Sequence, residues 1–423
     1  MNSARNLYRH DLDFRALALE DADFARCLKP NGQLDFNNPD VVRFNYILWL
    51  QDLVDSTANR YTDSYDPERA VAGLDIGTGA SCIYPLLGCA QRPAWTFLAT
   101  GTPPPPPAFL CLVESNRQLI LQSDIDESNI HHARRNIDRN GLQARIRLTR
   151  TRPEDPLIQL DAIPPSKMLD FTMCNPPFYE SREELLASAK AKQRPPNSAC
   201  TGADIEMVTA GGETAFVSRM IEESLKLYDK VQWYTSMLGK LSSVTTLVEQ
   251  LVAAGNKNWA VTQFVQGSKT KRWAIAWSWK DLRPTMEVAR NIPSIPKHLL
   301  PFPAEFILQP EFEPISLLIR KINDEMGSLR ISWRWDQHAC KGLGFAMENV
   351  WSRQARRKMH NLASQEQGSE SVSVDETKAA LGLAVYVRQT GIENVGITIR
   401  WIKGFDAVLF ESFCGMFKRK IGG

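Results

Sequence analysis

From residue 71 to about 282 the chain alternates apolar runs, "VAGLDIG", "WTFLAT", "RIRLTR", "MLDFTMC", "KVQWYTSML" and "RWAIAWSW", with stretches of helical period. Parallel strands cannot be joined by tight turns, and the crossover of a dozen or more residues that each pair needs is commonly a helix. The alternation therefore predicts an α/β fold on a doubly wound parallel sheet. Ligands of such sheets bind beyond the carboxyl ends of the strands, where the strand order reverses. Chemistry is expected on the loops that follow the runs.

A chain of 423 residues has room for two or three domains, and its apolar and charged fractions, 43% and 23%, are those of a globular protein. No apolar run approaches the roughly 18 residues of a membrane span. The opening "MNSARNLYRHDLDF" carries charges where a signal peptide needs an apolar stretch, so no membrane partner and an intracellular location are expected. The eight cysteines are scattered without a CxxC pair and the six histidines lack ligand spacing, which favours free thiols and no metal. The net charge of +2 hides basic clusters at 190–196, 269–273, 353–358 and 418–420. Each alone is what a solvated face looks like. Two of them stand beside Trp273 and Trp351, and cations next to stacking planes suit a nucleic-acid partner.

Residues 1–70 form a short polar N-terminal module in which "VVRFNYILWLQDLV" reads as an amphipathic helix. The alternating domain occupies 71–282, and the Pro-rich stretch 283–314 reads as a linker. The tail, 315–423, shows four strand-like runs, "SLRISWRW", "GFAMENVW", "LGLAVYVRQ" and "VGITIRWIK", and a closing amphipathic helix, so it is expected to be a small α+β domain. The polar stretch 363–376 reads as a disordered loop. Residues 101–123 interrupt the first βαβ unit with five consecutive prolines, which neither a central strand nor a helix accepts.

"GLDIGTGASCIYPLL" puts Asp75, Gly77 and Gly79 where the first strand gives way to a helix. Glycines there let a ligand approach the backbone, and the helix start offers free N–H groups. The same loop also serves as a plain tight turn, so a partner is needed. Nucleotide sites of this kind carry an acid about 20 positions on, accepting from ribose hydroxyls. The second strand instead stops at Thr100, and Asp124 lies 47 positions after Gly77. With 101–123 removed the spacing becomes 24, which marks that stretch as an insertion and Asp124 as the candidate ribose carboxylate. The alternative for Asp124 is an ordinary surface acid at a helix start.

"MCNPPFYES" follows the fourth run. An adenine exocyclic amine is a poor nucleophile because its lone pair is delocalised into the ring, so methylating it requires acceptors that draw it toward tetrahedral geometry. Asn175 Oδ1 and the Pro176 carbonyl are two such acceptors, Pro176 and Pro177 stiffen the loop, and Phe178 can stack on a flipped-out base. The electrophile fitting the glycine loop is S-adenosylmethionine. Read alone, Asn-Pro-Pro is also a turn.

These blocks, with "TAGGETAFVSRMI", "WYTSMLGK" and "QGSKTKRWAIAWSW", resemble the methyltransferase-like protein sixteen family of RNA adenosine N6-methyltransferases, relatives of the bacterial large-subunit ribosomal RNA adenine N6-methyltransferase. The likeness covers about 1–282. It implies a Rossmann-like class I methyltransferase domain, S-adenosylmethionine as cofactor, a structured RNA such as U6 small nuclear RNA as partner, and a nuclear location with the cytoplasm as a second compartment. By position it assigns Arg43, Gly77, Ser81 and Asp124, with Asp75 and Gly79 beside them, to the cofactor. Asn175, Pro176, Pro177 and Phe178 fall in the catalytic loop, and Arg5, Arg9, Arg194, Lys269 and Arg272 in an RNA groove. The chain departs from the family at 101–123, and between "NNPDVVR" and "FNYILW", where the family carries a few tens of additional residues. The tail resembles only loosely the kinase-associated-1-like, RNA-gripping module of animal members. A fold-stabilising or protein-binding domain is the other reading of that tail.

Two further functions fit the same residues. A protein glutamine N5-methyltransferase uses a similar Asn-Pro-Pro loop on another planar amide nitrogen, usually with Tyr after the prolines, against Phe178 here. A catalytically weak RNA-binding or splicing protein would bind RNA whether or not Asn175 is present.

Overall fold

The computed structural model describes residues 39–101, 123–152, 154–160, 168–181, 183–184, 208–266, 270–310, 313–355, 375–389 and 394–422; the side chains of 39–43, 123–129, 265–266 and 270 fall outside that description. The described residues form two compact units. The first draws on 1–51, 66–251 and 262–276, the second on 52–65, 252–261 and 277–423.

The helix expected near 41–54 is α1 (Pro39–Ser56). Five of the six predicted runs in 71–282 are β1 (Val71–Ile76), β2 (Trp95–Gly101), β3 (Ile146–Arg150), β4 (Leu169–Cys174) and β5 (Val231–Leu238). The last run is β7 (Thr270–Trp277), preceded by β6 (Trp259–Gln266), which the sequence reading missed. Helices α2 (Ile83–Gln91), α3 (Ser123–Arg139), α4 (Gly212–Leu227) and α5 (Leu241–Ala253) lie between them. The first seven strands are ordered β3-β2-β1-β4-β5-β7-β6. β1 pairs in parallel with β2 and β4, β2 with β3, and β4 with β5, as a doubly wound sheet requires. At the heart of this unit the rings of Trp95, Phe97 and Phe171 pack with centroids 5.1 to 6.1 Å apart. The one acid in the fourth run, Asp170, is satisfied locally: its carboxylate accepts from Ala72 N at 2.9 Å and pairs with Arg69 at 3.1 Å.

In the second unit, β9 (Glu305–Leu308), β10 (Ser332–Asp336), β11 (Lys341–Ala346), β12 (Leu381–Gln389) and β13 (Val395–Lys403) form an antiparallel sheet ordered β10-β11-β12-β13-β9, and β8 (Arg290–Asn291) precedes them in the chain. Helices α6 (Ile315–Gly327) and α7 (Ala407–Ile421) carry Leu318, Ile322 and Met326, and Phe410, Phe413 and Phe417, into one core with Leu383, Val385, Ile399 and Trp401. Each such side chain contributes about 1.5–3 kcal/mol when fully buried. The α+β expectation for the tail holds, but this core also takes in residues before 315. The stretch read as a linker buries Ile292, Ile295, Leu299 and Ala304 and contributes β9. Its prolines punctuate short elements that are held by packing.

Residues 52–65 join this second unit through charge. Asp63, at φ 57, accepts from Tyr386 Oη and pairs with Arg400 and with Lys341, the last at 3.4 Å. Lys341 Nζ also donates to Tyr61 O at 2.6 Å, and Arg400, 3% exposed, donates to Ser56 O at 2.6 Å. The pairing cations hold the Asp63 carboxyl below the usual range although burial opposes them. Most of the polar loop 363–376 lies outside the described residues; Asp375 closes it by capping the turn Glu376–Lys378.

Candidate functional site

β1 and β4 are parallel neighbours, with Asp75 opposite Met173 and Ile76 opposite Cys174. The chain runs outward from β1 to β2 and β3, then returns to β4 on the other flank of β1. The strand order reverses between these two strands, and the loops leaving them are the glycine loop and Asn175–Phe178.

Gly77 and Gly79 sit at φ 73 and 62, the left-handed region that an L side chain rarely adopts, and a Cβ on either would meet nothing within 4 Å. The glycines thus serve backbone conformation and leave open space above the loop. Thr78 N donates to Thr100 O at 2.8 Å, and Asn136 Nδ2 of α3 donates to Ser81 O at 3.2 Å, so the loop is held from two sides. Cys82 occupies the position before α2 at φ 53 without a side-chain capping bond, and burial pushes its thiol up to about 12.

Asp75 is 1% exposed, and neither of its carboxylate oxygens has a hydrogen-bond partner among the described residues. Burial pushes its carboxyl up to about 7; Thr78 is near enough to oppose the rise without reaching bonding geometry. Asn175 Oδ1, at the end of the adjacent strand, is also buried without a partner. Buried polar atoms are nearly always paired, so two orphaned acceptors on neighbouring strand ends point to groups that a ligand supplies.

Pro176 is buried, and Pro177 and Phe178 are half-buried. The Arg272 guanidinium lies 5.4 Å from the Phe178 ring centroid. Beneath the loop, Thr235 Oγ1 of β5 donates to Thr172 O at 2.8 Å, so the 2.7 Å bond between Tyr46 Oη and Thr235 Oγ1 has the phenol as donor. Burial holds the Tyr46 phenol well above its ordinary range, keeping that donor protonated.

Of the residues expected from sequence, Asp75 lies at the end of β1 beside the loop that carries Gly77, Gly79 and Ser81, and Asn175, Pro176, Pro177 and Phe178 form the loop next to it, with Arg272 over the aromatic ring. Arg43 lies on α1 and Asp124 is the second residue of α3, their side chains outside the described residues. Arg5, Arg9, Arg194 and Lys269 lie outside the described residues altogether. Asn136, Tyr46, Thr235 and Glu213 were not singled out from sequence. Each acts through a partner far along the chain, which no local spacing reveals.

Residues 30–119 and 109–281 match the model of a family described as RNA methyltransferase, in two pieces that overlap within the Pro-rich stretch 101–123. A Schizosaccharomyces pombe protein named U6 small nuclear RNA (adenine-(43)-N(6))-methyltransferase is 33% identical over 391 residues, covering 90% of this chain and 85% of its own. The Danio rerio RNA N(6)-adenosine-methyltransferase mettl16 is 30% identical over 421 residues, covering 90% and 81%. A solved structure described as the hMettl16 catalytic domain in complex with MAT2A 3'UTR hairpin 1 is 31% identical, covers 66% of this chain and 95% of its own, and has a TM-score of 0.48. With a family match over more than half its length and a relative aligned nearly end to end, this chain belongs to the RNA methyltransferases, in the methyltransferase-like protein sixteen family.

Proposed function

We propose that this protein transfers a methyl group from S-adenosylmethionine to N6 of an adenosine in a structured RNA of the U6 small nuclear type. The observation that carries this is the orphaned Asn175 Oδ1 on a proline-stiffened loop, beside an orphaned carboxylate and an open glycine loop. The residues fit the cofactor: Asp75 offers an acceptor to a hydroxyl or ammonium group, and Gly77, Gly79 and Ser81 leave backbone accessible. When bound, S-adenosylmethionine supplies an electrophilic methyl on a sulfonium.

Asn175 Oδ1 and the Pro176 carbonyl accept from the adenine amine, turning its lone pair toward the methyl. With the cofactor bound, its sulfonium methyl would be the acceptor for that lone pair and S-adenosylhomocysteine the leaving group, and the positively charged substrate nitrogen would lose its proton to water. Phe178 stacks on the extruded base, and Arg272 joins the stack or the phosphate backbone. The cations Lys418 and Arg419 in the last turn of α7, beside Lys420, which pairs with Glu325 at 3.4 Å, suit an RNA-gripping role for the second unit. The substrate makes the nucleus the site of action, with the cytoplasm second.

The test is transfer of labelled methyl to in vitro transcribed U6 RNA, for the chain as written and for a form lacking 101–123. Asn175→Ala is expected to lower transfer about 100-fold or more, since it removes an orienting acceptor, and to spare RNA binding. RNA binding indifferent to Asn175 with no transfer in either form would favour the binding-protein reading. Methyl transfer to protein glutamine alone would favour the N5 alternative.

A further inference from the structure

Two blocks of the chain, "TAGGE" and "MLGK", take no part in the chemistry above, yet the fold brings them together under the catalytic loop. Glu213, in the first turn of α4, is 2% exposed. Its carboxylate accepts from two successive backbone amides just past β5, Gly239 N at 2.6 Å and Lys240 N at 3.0 Å. A buried carboxylate held by two charge-assisted hydrogen bonds fixes both partners tightly. What it fixes is informative: a Cβ on Gly239 would lie 3.0 Å from Phe178 Cδ1 and 3.2 Å from Glu213 Oε2. Gly239 is therefore the wall against which the Phe178 ring rests, and a side chain there would make the ring or the carboxylate give by a few tenths of an ångström. The same turn is latched from outside, where Lys240 Nζ pairs with Glu184 at 2.8 Å and Glu184 Oε2 accepts from Glu180 N at 2.8 Å.

We infer that Glu213 is a positioning residue for methyl transfer, and that Glu213 with Gly239 sets the plane of Phe178 on which the target base stacks. The inference rests on the reading of Asn175–Phe178 as the base-binding loop. The Glu213 carboxylate is turned to the Gly239 and Lys240 amides. It works by keeping a side-chain-free backbone turn against the ring, because an aromatic plane displaced by about 1 Å carries the amine away from its line of attack at a cost of up to about 100-fold in rate.

The experiment is single-turnover methyl transfer at saturating S-adenosylmethionine and RNA, with separate Kd values for each, on Glu213→Gln, Gly239→Ala, Phe178→Leu and the two doubles with Phe178→Leu. Gln at 213 must turn an N–H toward one of the two amides it should accept from. Ala at 239 presses on the ring. Glu213→Gln and Gly239→Ala are each expected to slow transfer about tenfold or more, with both Kd values within about twofold of the parent. In the Phe178→Leu background neither is expected to slow it further, since the two changes act through one contact. A parental rate for Gly239→Ala, or an undiminished loss in the Phe178→Leu background, overturns the inference even if Glu213→Gln fails to fold. A parental rate for Phe178→Leu itself overturns the reading of the loop, and this inference with it.

Discussion

At the scale of single residues, the groups that announce the site are those the fold leaves unpaired. Asp75 gives the sharpest consequence. Its carboxyl is raised to about 7 from an ordinary value of 3.8, so the folded chain keeps a proton that the unfolded chain releases. The stabilisation this brings is complete below about pH 4 and is lost as pH rises through 7. The thermal midpoint of the cofactor-free protein is expected to fall between pH 5 and 8 by an increment that Asp75→Asn removes, as melting curves of the two proteins across that range will show. Asn175, Gly77 and Gly79 were legible in the sequence because their chemistry needs particular residue types at short spacing. Glu213 was not, since an acid accepting from amides 26 and 27 positions away has the same local sequence as any helix-start acid.

At the scale of elements, the alternating runs were readable because strands buried on both faces are rich in apolar residues and poor in charge, as in β5, whose eight residues are all buried and uncharged although Gln232, Thr235 and Ser236 are polar. β9 and α6 went unread because a dense run of prolines masked them. Yet α6 carries buried Leu318, Ile319, Ile322 and Met326 at helical spacing, a stripe that the pattern alone supports. The end of the chain offers a test of one element: Asp406 Oδ1 accepts from Leu409 N at 3.0 Å and starts α7, which brings three phenylalanines to the second core. Asp406→Ala is expected to cost about 1 kcal/mol, read from urea denaturation with an unchanged slope.

At the scale of the molecule, boundaries read along the sequence at 70/71 and 282/283 separate stretches that the fold joins, because the second unit recruits 52–65 and 252–261 as well as 277–423. Nothing near Asp63 in sequence indicates that Arg400 will pair with it. Arg400→Met keeps volume but removes a buried cation, and is expected to destabilise the second unit by roughly 3 kcal/mol in denaturant titrations followed by tryptophan fluorescence. The same pairing sets a timetable for synthesis. Asp63 and its hydroxyl partner Tyr386 are 323 residues apart. At about 5–20 residues per second a ribosome exposes the acid roughly 15–65 s before that partner exists. Until Lys341 emerges the nascent chain carries a solvated charge with no mate, and the second unit closes only after Tyr386 and Arg400 have been made.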